Sequence, residues 1–144
     1  MARFPKINLD ITHRCTLQCK RCNRAIFASR GQKVPGEDLS MENFKKILAF
    51  FKEIYFCGQI SDPIFHPQFI EFLKLCKDNH NVFIHTAASH KAESWYREAF
   101  QANKMHYGLL VLMDCQKIVI SIELIKTEKN YLKWPAWPLK WDYG

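Results

Sequence analysis

Two hydrophobic periods alternate along most of the chain. Lys6-Ile7-Asn8-Leu9-Asp10-Ile11 switches between polar and apolar at every step, the period of a half-buried strand over 6–11. Ser40 is a good N-cap, and behind it Phe44, Ile47, Leu48 and Phe51 recur at helical spacing, which predicts a helix over 41–52. A strand is expected over 53–57. A second helix follows from Pro67, a residue suited to a first helical turn, with Phe69, Phe72, Leu73 and Cys76 along one side. Further elements are a strand over 82–85, a helix over 91–103 and a strand over 107–113. Strand and helix in strict alternation predict the α/β class: a parallel sheet with right-handed crossovers and functional residues at the C-terminal ends of its strands.

Composition changes this picture little. A chain of 144 residues has room for one modest domain, and 48% apolar residues can build its core. No apolar run approaches the ~20 residues that span a bilayer, and none resembles a secretory signal. Free cysteines suit a reducing compartment, so a cytoplasmic location without a membrane span is expected. The formal charge of +7 is densest near residues 14–24 and in the C-terminal tail. A nucleic-acid surface would need a basic face interleaved with exposed aromatics, whereas the lysines here are spread along predicted helices as solvated faces. Nucleic acid is therefore not the expected partner. An acidic electron donor docking on the basic rim is another use for the same charge.

The chemistry concentrates in Cys15, Cys19 and Cys22, spaced C-x3-C-x2-C on the loop after the first strand. Four soft ligands close a metal site, whereas three leave a position open for something that reacts. Iron–sulfur clusters take such thiolates. Arg14, Lys20, Arg21 and Arg24 crowd the motif, and positive charge is expected to lower thiol pKa values and offset a cluster's charge. The spacing alone also admits a zinc site, with Cys57 or a histidine as fourth ligand, or inert thiols. A disulfide framework is disfavoured, because no secretory signal precedes the six cysteines and they are not densely arrayed. Cys76 reads as a buried small hydrophobe and His66, before a proline, as structural. His80, His85, His90 and His106 show no metal-ligand spacing.

Three segments in order resemble the radical S-adenosylmethionine superfamily. The first is the cysteine motif, with Thr12 before it, Leu17 inside it and Asn23-Arg24 after it. The second is Cys57-Gly58-Gln59-Ile60-Ser61-Asp62-Pro63 followed by His66-Pro67-Gln68-Phe69. It resembles the family's GGEP segment in the variant form C-G-N-x-G-D-P, then H-P-x-F. The third is Val82-Phe83-Ile84-His85-Thr86-Ala87-Ala88-Ser89, similar to the strand-three T-N-G segment. The resemblance covers about the first hundred residues. It implies a partial (β/α)6 TIM-like barrel, of which this chain would supply three to four βα units with parallel strands. It further implies a [4Fe–4S] cluster on Cys15, Cys19 and Cys22, with S-adenosylmethionine chelated at the fourth iron. Its reductive cleavage would give a 5′-deoxyadenosyl radical that abstracts hydrogen from a substrate. Gly58, Gln59, Ser61, Asp62 and Pro63 would line the methionine end of the cofactor, with Asp62 at the acidic position that receives the ammonium. Arg21 stands where the family often has an aromatic residue near adenine, and would serve through its backbone or by stacking its guanidinium. Thr86 completes the set, although Ala87-Ala88 replaces Asn-Gly. No catalytic residue is assigned. The implied partners are an electron donor such as a flavodoxin or ferredoxin and a substrate of open class: peptide, nucleotide or small metabolite.

Residues 1–114 thus read as the N-terminal half of such a core, and 115–144 as an atypical segment. The latter holds a strand over 117–125 and a tail with Trp134, Pro135, Trp137, Pro138 and Trp141. On one reading the tail covers the sheet edge, or docks a partner or membrane surface through its Trp residues. On the other it is frameshift-derived, because a permissible back-translation of residues 107–134, read two bases on, resembles the family's fourth strand and the stretch just after that strand. A half barrel exposes a radical to water, so an inactive cluster-binding remnant and a structural zinc module stand as the alternative functions.

Overall fold

The computed structural model describes residues 4–19, 22–103, 109–113 and 119–123. Its elements are β1 (Phe4–Leu9), α1 (Asn23–Ser29), α2 (Met41–Leu48), β2 (Phe51–Phe56), α3 (Phe69–Cys76), β3 (Asn81–Thr86), α4 (Glu93–Ala102), β4 (Leu109–Met113) and β5 (Val119–Glu123), with a short 3-10 turn at Pro63–Phe65 before α3. The strands form one sheet in consecutive order. β1 to β4 run parallel, and β5 returns antiparallel to β4. The α/β class and the parallel sheet agree with the hydrophobic pattern. Among the described residues, no helix is long and apolar enough to cross a membrane.

Alternation decides which face of the sheet is covered. Ile54 and Phe56 of β2 and Val82, Ile84 and Thr86 of β3 are buried, while Glu53, Tyr55, Phe83 and His85 between them are half-exposed on the other face. The register stacks Ile7 on Ile54 and Leu9 on Phe56, so the apolar rows line up across strands. Phe44 of α2 fills the gap above them. It is fully buried, stacked on Phe72 of α3 at 4.2 Å between ring centroids and tilted against Phe56 at 5.8 Å. Aromatic rings buried this way supply about 1.5–3 kcal/mol each from area alone. The Ser40 hydroxyl caps α2 by accepting from the Asn43 amide at 3.2 Å, as its position predicts.

Several expectations change. The helix expected over 41–52 ends at Leu48, because Phe51, seven residues from Phe44 and in phase with its stripe, instead opens β2 opposite Phe4. Sheet pairing outweighs a helical period there. Pro67 precedes α3 rather than starting it, and the first-turn proline is Pro63 in the 3-10 turn. The helix expected over 91–103 begins at Glu93. α1 was not expected at all: none of its residues is buried, so it has no apolar stripe for a periodicity to find. The expected strand over 117–125 is β5, and its antiparallel direction departs from the run of parallel strands. Trp134, Trp137 and Trp141 lie outside the described residues.

Candidate functional site

The three segments singled out by the sequence emerge from the C-terminal ends of β1, β2 and β3, at one rim of the sheet. Parallel strands with consecutive order make this unavoidable: each strand points the same way, so the loops that follow them converge. Polar contacts then join these loops. Arg24 donates through Nη1 to the carbonyls of His13 (2.6 Å) and Ile60 (2.9 Å), tying the cysteine loop to the turn after β2. The Asp62 amide donates to the Arg14 carbonyl at 2.9 Å. Asp10, at the end of β1, accepts from the Ser61 hydroxyl and from the Gln59 amide. The turn is tight enough that a Cβ on Gly58 would lie 2.1 Å from the Ser61 carbonyl oxygen, so only glycine fits.

Asp62 is the hub of the rim. It is 4% exposed. Its Oδ1 accepts from the Thr86 hydroxyl (2.6 Å) and the Ile64 amide (3.3 Å), and Oδ2 accepts from the Ala87 amide (3.1 Å). The carboxylate therefore locks the loop after β2 to the end of β3. Burial pushes its pKa up, and the bonds from Thr86, Ala87 and Ile64 oppose that rise by favouring the ionised form. A second lock sits beneath the cysteine loop. Asp38 accepts from the Thr12 hydroxyl at 2.6 Å and pairs with the Arg14 guanidinium at 2.8 Å. The Arg14 bond holds the Asp38 carboxyl below its usual range. His66 fills its expected structural role, with Nε2 on the Leu39 carbonyl and Nδ1 accepting from the Gln68 amide. Cys76 is fully buried, which pushes its thiol up to about 12 and leaves it inert.

The cysteines themselves correct part of the reading. Cys15 and Cys22 are free, half-buried thiols, and Cys22 is the N-cap residue of α1, its amide closing a turn onto the Cys19 carbonyl at 3.0 Å. Cys19 is disulfide-bonded, contrary to the expectation of free thiols throughout. The Cys15 thiol is shifted up rather than down: burial dominates, and the Leu17 amide and Arg24 only partly oppose it. Arg14 does not neutralise the thiols because Asp38 holds it. Cys57 is a free, half-buried thiol raised by burial and by Asp10. Among the described residues no group of three or more Cys, His, Asp or Glu side chains is gathered closely enough to hold a metal ion. The donor set nonetheless suits a soft metal in kind, with three thiols on one short loop and two of them free. Holding a cluster requires Cys19 reduced and the loop drawn together.

Gly58, Gln59, Ser61, Asp62, Pro63 and Thr86 all sit on the rim, and Asp62 and Thr86 are in direct contact. Arg21 lies outside the described residues. Asp10 and Asp38 are the rim residues the sequence reading missed. For Asp10 the available signal was a carboxylate ending the alternation of β1 just before the loop. For Asp38, which lies 26 residues from its Thr12 partner, no local signal existed. Comparison with known protein families and with curated proteins finds no match to either.

Proposed function

We propose that the chain is a radical S-adenosylmethionine protein, or the N-terminal part of one, whose cysteine loop binds a [4Fe–4S] cluster through Cys15, Cys19 and Cys22. The observation that carries this reading is the convergence of all three resembling segments on one rim, where Arg24, Asp10 and Asp62 fasten them together. The consecutive strand order adds to it. With right-handed crossovers, strands laid down in one direction put their helices on one face, which is how a (β/α) barrel winds; doubly wound folds reverse direction. A partial barrel of three to four βα units is the architecture proposed.

The residues have separate tasks in this reading. Gly58, Gln59, Ser61 and Pro63 present backbone and a hydroxyl to the methionine end of the cofactor. Asp62 and Thr86 hold that turn in place, and the resemblance assigns Arg21 to adenine, through its backbone or its guanidinium. When bound, a reduced cluster would supply the electron for reductive cleavage of S-adenosylmethionine, the family's source of a 5′-deoxyadenosyl radical. A small acidic flavodoxin or ferredoxin would deliver that electron at the basic cysteine loop.

Anaerobic reconstitution with iron, sulfide and a thiol reductant tests the proposal. A brown protein with broad visible absorbance, lost in Cys15→Ala and Cys22→Ala, is expected. A colourless protein that binds stoichiometric zinc overturns it in favour of the structural zinc module. Dithionite and S-adenosylmethionine should then yield 5′-deoxyadenosine; a full cluster without that product identifies an inactive remnant.

A further inference from the structure

The loop between β3 and α4 holds polar groups that the cluster reading does not use. Ser89 is 7% exposed, and its hydroxyl is buried with no hydrogen-bond partner. A buried hydroxyl left unpaired costs about 1–3 kcal/mol, so a fold retains one where something else supplies the partner. The backbone around it is strained as well. Ala88 and His90, on either side, have φ of 51° and 58°, a left-handed conformation unfavourable for residues with a Cβ. Such strain persists where the surroundings over-determine the chain and gathers at ligand sites.

The surroundings do fix this loop. At one end the Ala87 amide is held by Asp62 and the Ala88 amide by the Thr86 hydroxyl. At the other, the Lys91 ammonium sits 5.0 Å from the ring centres of both Phe65 and Trp95. Between these anchors the amides of Ser89, His90 and Lys91 have no acceptor among the described residues. The loop then enters α4, whose N-cap, Ala92, offers no capping side chain. The positive end of a ten-residue helix is thus left open, and the unpaired Ser89 hydroxyl, the unused amides and Lys91 lie on the three residues that lead into its N-cap, Ala92. The one acid in the first turn of α4, Glu93, is bound by Arg97.

We propose that the Ser89–Lys91 loop and the N-terminus of α4 form a binding site for an oxyanion, a phosphate or carboxylate group of the substrate. The amides and the helix end attract its charge, the Ser89 hydroxyl gains the partner it lacks, and Lys91 supplies the countercharge. The site requires neither iron nor S-adenosylmethionine, so it stands or falls apart from the cluster.

Titration of the full-length, isotope-labelled chain with inorganic phosphate and, separately, acetate tests it, read from backbone amide resonances. Saturable shifts confined to residues 88–94 are expected, weakened about tenfold or more in Ser89→Ala and in Lys91→Gln, the loss expected for one hydrogen bond to a charged group. Tighter binding of phosphate assigns a phosphate-bearing substrate, and tighter binding of acetate a carboxylate. Shifts scattered over surface lysines, no saturation with either anion, or unchanged affinity in whichever variant keeps the wild-type spectrum overturns the proposal.

Discussion

The Asp62–Thr86 contact ties the loop after β2 to the end of β3, and a double-mutant cycle measures it. Both side chains are nearly sealed from water, at 4% and 3% exposure, and their oxygens lie 2.6 Å apart. A hydrogen bond to a buried carboxylate contributes about 1.5–3 kcal/mol. Thr86→Val keeps the side-chain shape but removes both the donor to Asp62, which keeps its two amide bonds, and the acceptor of the Ala88 amide, so it should cost about 2–4 kcal/mol. Asp62→Ala strands the Thr86 hydroxyl and the Ala87 and Ile64 amides but relieves the burial of a charge. These terms partly offset, and the net loss should be about 2–4 kcal/mol. Because the two residues touch, the double variant should cost less than the sum, with a coupling of about 1.5–3 kcal/mol from equilibrium urea unfolding. A coupling below about 0.5 kcal/mol would refute the assignment of Asp62 as the clamp between the loop after β2 and the end of β3. The pH profile supplies an independent check. Burial raises the Asp62 pKa above its ordinary 3.8. A group raised in the folded state contributes stability that is complete below the unfolded pKa and is lost as pH rises through the folded one. The Thr86 bond opposes the rise, so Thr86→Val should carry that loss to higher pH.

Packing and charge give three further outcomes. Phe44→Ala empties the space between Phe72 and Phe56 and should cost about 3–5 kcal/mol in urea unfolding; a loss under about 1 kcal/mol would mean the aromatic stack is not the centre of the core. Ala88→Gly keeps the amide bond to Thr86 and removes a left-handed strain of about 1–2 kcal/mol, against about 0.5–1 kcal/mol of added chain entropy. The variant should be as stable as the parent or up to about 1 kcal/mol more so, and clear destabilisation would contradict the strain. Arg14 holds the Asp38 pKa down, so this pair's stability is present above the ordinary carboxylate value and lost as pH falls through the folded one. Arg14→Met should move the acid-unfolding midpoint to higher pH by circular dichroism, and an unmoved midpoint would show that the pair adds nothing.

The fold was legible wherever burial imposed a period. Phe69, Phe72, Leu73 and Cys76 predicted the inner face of α3, and all four are buried. The alternation read over 6–9 appears directly in β1, where Ile7 and Leu9 are half-buried and Lys6 and Asn8 exposed. Illegible were the places where a non-local term decided. Phe51 satisfies a helical stripe and a strand equally well in sequence, and only the partner strand β1 breaks the tie. α1 buries nothing, so no period marks it. At the rim the decisive bonds join residues far apart in the chain, Ser61 to Asp10 over 51 positions and Arg24 to Ile60 over 36. A motif can place such residues on neighbouring loops but cannot say which of them turn their polar groups on each other.

That distinction limits what Asp62 can do for a ligand. By resemblance it would be the acidic residue that receives an ammonium. Its two oxygens offer about four lone-pair positions, and the Thr86 hydroxyl and the Ile64 and Ala87 amides occupy three. One position on Oδ2 remains. The Ile60 carbonyl on the same turn is already taken by Arg24. A cationic ligand at this rim would therefore bind chiefly to other carbonyls of the turn, with Asp62 supplying one bond and a negative field. The residue acts first by fixing the turn, and removing it should loosen ligand affinity through lost geometry as much as through lost charge.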